Sequence, residues 1–330
     1  MVAPLQPAYE VVLRLPRGNH SGRSQVPWAL AGSPDGALFL ATRRGLFRAL
    51  PGEPRQWTEL TAEPVEAHGL YAPSKDAVFA VGYSLGGSVY RWRVVDGWQR
   101  MRTPLTDSVI VENDYIHGVP LAGIWGRDER DVYAVGEEAA ILHFDGVAWT
   151  AEANPLLALV DSGGPITVRG SGARLMAVGG SADGVYAVAS DLVRRSGGRW
   201  ERFARPTDDV ARYCGFEAMS VRGRDVLVAG GELPCLFRFR DGRWTDLTSR
   251  LGGFAAPGVQ GGATQADGSA LFWASAYGRG DVAVVRGGAV RVLQFPTIKW
   301  FGGAAVVGPY LYVTGIVGDT TIVARTPLPL

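Results

Sequence analysis

Ile124-Trp125-Gly126-Arg127-Asp128-Glu129-Arg130-Asp131-Val132-Tyr133-Ala134-Val135-Gly136, followed by Ile141-Leu142-His143-Phe144-Asp145-Gly146 and then Trp149, is the stretch that decides the fold. Each apolar run in it is short and stops at glycine or at polar residues, as strands do. It parses into strand A near Ala122–Gly126, B near Val132–Val135, C near Ala140–Phe144 and D near Ala148–Ala151. The links are Arg127–Arg130, Glu137–Glu138 and Asp145-Gly146. Asp-Gly just ahead of an aromatic residue reads as a hairpin turn leading into a strand.

The same unit recurs along the chain, and a repeat of this length governs the fold. Trp57, Trp98, Trp149, Trp200 and Trp244 are spaced 41, 51, 51 and 44 residues apart. Upstream of them, Asp131–Gly136 has counterparts in Asp76–Gly82, Ala173–Gly179 and Asp225–Gly230. Diverged copies are Gly36–Ala41, Ser269–Ala274 and Pro309–Thr314. Each copy is a continuous apolar run, which suits a strand buried on both faces. On this reading Gly179–Gly184 is the hairpin between strands B and C of the fourth unit.

Seven units of four strands predict an all-β, seven-bladed β-propeller of four-stranded antiparallel blades. The expected blades are 26–62, 66–105, 120–156, 163–206, 214–251, 259–296 and 299–330, in one domain spanning 1–330. The last unit runs short by one strand. Tyr9–Leu15 is a spare apolar strand, expected to complete that blade and close the ring, leaving no open seam.

Composition agrees. Glycine is 45 of 330 residues, about twice the usual share, as many tight turns require. The net charge of +1 leaves no electrostatic footprint for nucleic acid. All but Lys75 and Lys299 of the 33 basic residues are arginine, without a polybasic run, so no membrane-surface patch is expected. No apolar stretch reaches the length of a membrane span. Met1–Pro16 does not read as a signal peptide, so the expected compartment is cytoplasmic.

The quoted unit resembles a propeller repeat of bacteria, abundant in myxobacteria, that reads W-G-x(4)-D-V-W/Y-A-V-G, I-L-H-Y/F-D-G, W. It is distantly similar to the sialidase-type and photosystem-assembly-factor propellers. The third unit matches well, the second and fifth in part, the others weakly. The resemblance implies the propeller fold and a binding or assembly role, with no shared activity. The Ser-x-Asp-x-Gly-x-Thr-Trp turn of true sialidase-type blades is missing, as are regular Gly-His…Trp-Asp pairs.

In a propeller, strands A line the central channel. The D-to-A and B-to-C connections share one face, here the first face. The long irregular segments Pro16–Val26, Pro104–Leu121, Ala153–Ile166, Arg205–Gly215 and Arg250–Gly262 all fall on it. Loops longer than a turn requires are where function concentrates. Candidate partner- or ligand-binding residues there are Asp114, Tyr115, His117, Arg212, Tyr213, Lys299, Trp300, Arg43 and Arg44. Aromatic residues and arginine dominate protein interfaces.

His20, His68 and His117 lead into blades one, two and three and form a candidate metal set. No cofactor motif is present; a divalent metal ion at these histidines is the only cofactor candidate. His143, inside strand C of its blade, reads as structural. Cys214 and Cys235 sit at the same end of blade five. A disulfide needs Cα atoms within about 7 Å, and strands A and C stand ~9–10 Å apart, so a loop bend is needed to bridge them. A bridge would argue against a reducing compartment.

The expected function is a binding or assembly module that presents its loop-rich face to a protein partner. A metal-dependent hydrolase or lyase with its site at the channel mouth is the alternative. A carbohydrate-binding lectin is the second alternative. Small-molecule or glycan ligands stay open under either.

Overall fold

The computed structural model describes residues 4–16, 27–43, 45–60, 66–82, 85–106, 109–112, 115–156, 174–206, 214–230, 234–254, 259–265, 268–276 and 278–328. Seven four-stranded antiparallel sheets stand in a ring: the chain is a seven-bladed β-propeller. Blade one comprises Pro27–Gly32, Leu38–Thr42, Gly45–Ala49 and Trp57–Glu59, in the order A to D. Blade two comprises Gly69–Ser74, Ala77–Val81, Val89–Arg93 and Gly97–Met101. Blade three is Leu121–Asp128, Asp131–Gly136, Ile141–Phe144 and Trp149–Ala151, strand for strand as its sequence reads. Blade four is Ala177–Ser181, Gly184–Val188, Leu192–Ser196 and Arg199–Phe203. Blade five is Phe216–Arg222, Asp225–Gly230, Cys235–Arg240 and Arg243–Asp246. Blade six is Val259–Thr264, Ala270–Ala276, Arg279–Arg286 and Ala289–Phe295.

Blade seven takes Lys299–Val307, Tyr310–Val317 and Thr320–Pro327 from the end of the chain and Glu10–Pro16 from its beginning. The N-terminal strand is the outermost, antiparallel to Thr320–Pro327. Glu10 stands opposite Arg325 and accepts a hydrogen bond from its Nε at 2.8 Å. The closure extends further than the sequence suggested. The Leu5 N–H donates to the Val292 carbonyl at 3.0 Å, and the Leu5 carbonyl accepts from Gln294 at 2.8 Å, so the chain also clasps the outer edge of blade six.

The fourth unit corrects the sequence reading. Ala177-Val178-Gly179 belongs to strand A, and Gly179–Gly184 covers the end of that strand and the A-to-B turn, not a B-to-C hairpin. Strand B is Gly184–Val188, buried at every position, whereas Ala177–Ser181 is half-buried throughout. The two stretches share Ala-Val. What separates them is burial, because strand B lies between two neighbouring blades and strand A borders the channel.

The core lies between blades. Phe79 and Val89 of blade two meet Leu142, Phe144 and Trp149 of blade three. Burying side chains of this size contributes roughly 1.5–3 kcal/mol each. Polar members of the repeat have local duties. The first residue of strand B anchors a cation on strand C: Asp225 binds Arg238 through two contacts of 2.6 and 2.5 Å. Asp131 holds His143 at 2.9 Å, and the imidazole stacks on Tyr133 with centroids 4.3 Å apart. In blades two, four and five the repeat tryptophan latches onto the preceding blade just past its strand D. Trp98 Nε1 donates to the Leu60 carbonyl, Trp200 Nε1 to Glu152 and Trp244 Nε1 to the Ala204 carbonyl, at 3.1, 2.6 and 2.9 Å.

Beyond the blades, Val109–Glu112 and Tyr115–Gly118 pair as a hairpin in the connection from blade two to blade three. The sequence reads this segment only as irregular.

Candidate functional site at the channel mouth

The D-to-A and B-to-C connections do meet on one face. Arg43, in the B-to-C turn of blade one, reaches Glu66, which leads into blade two, with Nε 3.1 Å from Oε1. Both side chains stay about one-third exposed, so the pair is worth under about 1 kcal/mol in stability. Its larger effect is to orient two opposite charges at the rim.

Two residues past Glu66, half-buried His68 packs against Trp28, the second residue of strand A in blade one. The ring centroids are 4.3 Å apart and the planes are tilted by 36°. Burial lowers the His68 pKa to about 4; Glu66 favours the imidazolium, and Arg174 opposes it. The ring is therefore neutral at physiological pH. Trp28 Nε1 is buried with no acceptor among the described residues.

Arg174 approaches from the connection into blade four. Burial disfavours its charge, and Glu217, at the start of strand A in blade five, restores part of it. Arg43, Glu66, Arg174 and Glu217 thus bring alternating charge to the mouth from blades one, two, four and five, with an aromatic step between them. Such a surface can hold both a polar and an apolar group of a partner.

Trp300 completes the rim. It lies near the start of strand A in blade seven, between Lys299 and Gly303, where the pairing with strand B shifts register. Its φ is 52° and its side chain is 61 % exposed. A bulky residue held in the left-handed region costs roughly 1–2 kcal/mol, and strain of this kind collects at functional positions. Gly302 beside it abuts the Pro27 carbonyl, which places this rim next to Trp28. Lys299 lies over Gly278 in the B-to-C turn of blade six.

A second strained position is the turn Glu137–Ala140. Glu138 and Ala139 have φ of 57° and 50°, and the Ala140 N–H donates to the Glu137 carbonyl at 3.0 Å. Asn154 Nδ2 ties the Ala139 carbonyl at 2.9 Å. Burial raises the pKa of Glu138.

Of the residues singled out from sequence, Arg43, His68, Lys299 and Trp300 lie on this face. Tyr115 and His117 stand in the second strand of the hairpin, opposite Glu112 and Ile110. Arg44, Asp114, His20, Arg212 and Tyr213 lie outside the described residues. Among the described residues no three His, Cys, Asp or Glu side chains gather as a metal ion requires. Sequence reasoning missed Trp28, Arg174 and Glu217. The signal for Trp28 was a tryptophan outside the strand D repeat; Arg174 fell inside the unit whose strands the sequence misassigned.

Cys214 and Cys235 are joined by a disulfide, their Cα atoms 6.1 Å apart. Cys214 precedes strand A, and this lets the chain bend inward to less than the spacing of strands A and C.

No family model matches the chain, and no curated protein does. Solved structures do. One is a virginiamycin B lyase from Staphylococcus aureus, with a TM-score of 0.67 and 13 % identity, covering 98 % of this chain and 100 % of that one. The RRP9 WD40 repeats give 0.66 and 9 %, covering 98 % and 99 %. U3-55K gives 0.64 and 9 %, covering 93 % and 97 %. At such identity the likeness extends to architecture and not to chemistry: the chain shares the β-propeller fold of these proteins over nearly its whole length.

Proposed function

We propose that this propeller is a protein-interaction module that seats a partner on its first face, around the channel mouth. The observation that carries this reading is Trp300, a large apolar side chain exposed to solvent and held by strained backbone. On the same face are Trp28, Arg43 and Arg174, residue types that anchor interfaces. WD40 repeats among the structural neighbours fit a binding role. The metal-dependent and lectin readings have no comparable observation among the described residues.

The disulfide supports a non-reducing compartment in place of the cytoplasmic expectation. No helix of the described residues is long and apolar enough to cross a membrane.

The test is quantitative capture from extract of the source organism with the full chain, comparing wild type with Trp300→Gly and Arg43→Glu. A partner held by wild type and reduced at least about tenfold with either variant supports the reading. Equal recovery with all three overturns it. Trp300→Gly also relieves the left-handed strain, so this variant is expected to be more stable by about 1 kcal/mol, measured by denaturant midpoint.

A further inference from the structure

The seam between blades two and three breaks the tryptophan latch, and unlike Trp57, which donates to the Pro54 carbonyl of its own blade at 2.8 Å, its tryptophan finds no substitute among the described residues. By the pattern of Trp98, Trp200 and Trp244, Trp149 of blade three should donate to the chain just past strand D of blade two, at Arg102. It does not: Trp149 Nε1 has no acceptor among the described residues, although the side chain is only 6 % exposed. At this seam a groove of about 570 Å³ opens, the size of a ligand site.

The lining is one-sided in charge. Arg91, Arg100 and Arg102 contribute to it, and among the described residues no carboxylate does. Arg100 Nε is committed to Ser88 Oγ at 2.9 Å. Arg91 gives one nitrogen to Gln99 at 2.8 Å, while its Nε is buried with no acceptor among the described residues. Burial and neighbouring Arg93 disfavour the Arg91 charge; Glu129 and Asp96 offset this from the turns below, and Asp96 is already paired with Arg93. Two residues of one groove thus each carry a buried donor short of an acceptor, and an oxygen ligand supplied from outside would satisfy them.

The apolar part favours a peptide over a small anion. Met101 and Phe144 line the groove, and Val147, 89 % exposed, stands at its rim. The strands bordering it are the outermost of blades two and three, each with one unpaired edge. An open edge accepts an extended chain by main-chain pairing. The protein does this itself where Leu5 pairs with the outer strand of blade six.

We propose that the groove between blades two and three is a second docking surface, separate from the channel mouth, that takes an extended acidic segment of a partner protein. A carboxylate or carbonyl oxygen of that segment accepts from Arg91 Nε and Trp149 Nε1. An apolar residue next to it packs on Met101 and Val147.

The experiment is selection of random 12-residue peptides, displayed on phage, against the whole protein. The expected result is enrichment of Asp and Glu beside an aliphatic residue. A fluorescein-labelled synthetic copy of the enriched peptide then binds more weakly to Trp149→Phe, which keeps the ring and loses the N–H, by about fivefold. Arg91→Glu weakens it by more than about tenfold. Val147→Asp, at an exposed turn where folding is not at risk, weakens it by repulsion. Arg199→Glu, an equal charge reversal on blade four, changes nothing. Overturning results are absence of acidic enrichment, equal affinity for the three groove variants, or displacement by millimolar inorganic sulfate, which would make the groove a general anion patch.

Discussion

The carbonyl oxygen of Pro120 stands 2.0 Å from the place a β-carbon on Gly136 would occupy. The same relation holds between Glu66 and Gly82 in blade two, at 2.1 Å, and between Gly215 and Gly230 in blade five, at 1.6 Å. The glycine that closes the repeat in blades two, three and five is thus required by the chain leading into strand A of its own blade. Gly136→Ala is expected to cost about 3 kcal/mol or more, because the obstacle is backbone and cannot rotate away. Gly215→Ala, with nothing within 4 Å of the added carbon, is expected to be near neutral. Denaturant midpoints of the two variants check the contrast; equal midpoints would refute the argument.

His68 makes stability depend on pH. Its folded-state pKa is depressed by burial to about 4 from the ordinary 6.5. Between those values the unfolded chain binds a proton that the folded chain refuses. Stability is therefore full above about pH 6.5, falls as the pH falls toward 4 and then levels off, with at most about 3 kcal/mol lost to this group. The check is the unfolding free energy at pH 7.5 and at pH 4.5, in wild type and in His68→Asn. The variant should lose less on acidification; parallel losses would show that His68 titrates normally.

Reduction of Cys214–Cys235 should lower stability. The bridge closes a loop with a sequence separation of 21 residues, and loop closure of that size is worth about 3 kcal/mol. The thermal midpoint of the Cys214→Ser, Cys235→Ser double variant should fall and should no longer respond to reductant. An unchanged midpoint would mean that the surrounding blade already restricts the unfolded chain.

Which strands exist could be read from local pattern, because a strand buried on both faces is written as an unbroken apolar run and a hairpin as Asp-Gly before tryptophan. Val132–Val135 and Asp145-Gly146 carry that information without help from distant residues. The reading failed at Ala173–Gly179, where the same Ala-Val-Gly letters sit in strand A. Local composition does not say whether a run faces two blades or one blade and the channel.

Sequence by itself determined the number of blades and the strand that closes the ring, read as Tyr9–Leu15 and found at Glu10–Pro16, since both follow from periodicity and length. Only the tertiary structure decided that Trp28 meets His68, that Arg43 reaches Glu66, that Cys214 comes within bridging distance of Cys235, and that Trp149 Nε1 is left without an acceptor among the described residues. Those relations join different blades or non-adjacent strands of one blade. They depend on how the ring curves and where each loop bends, which no run of neighbouring residues encodes.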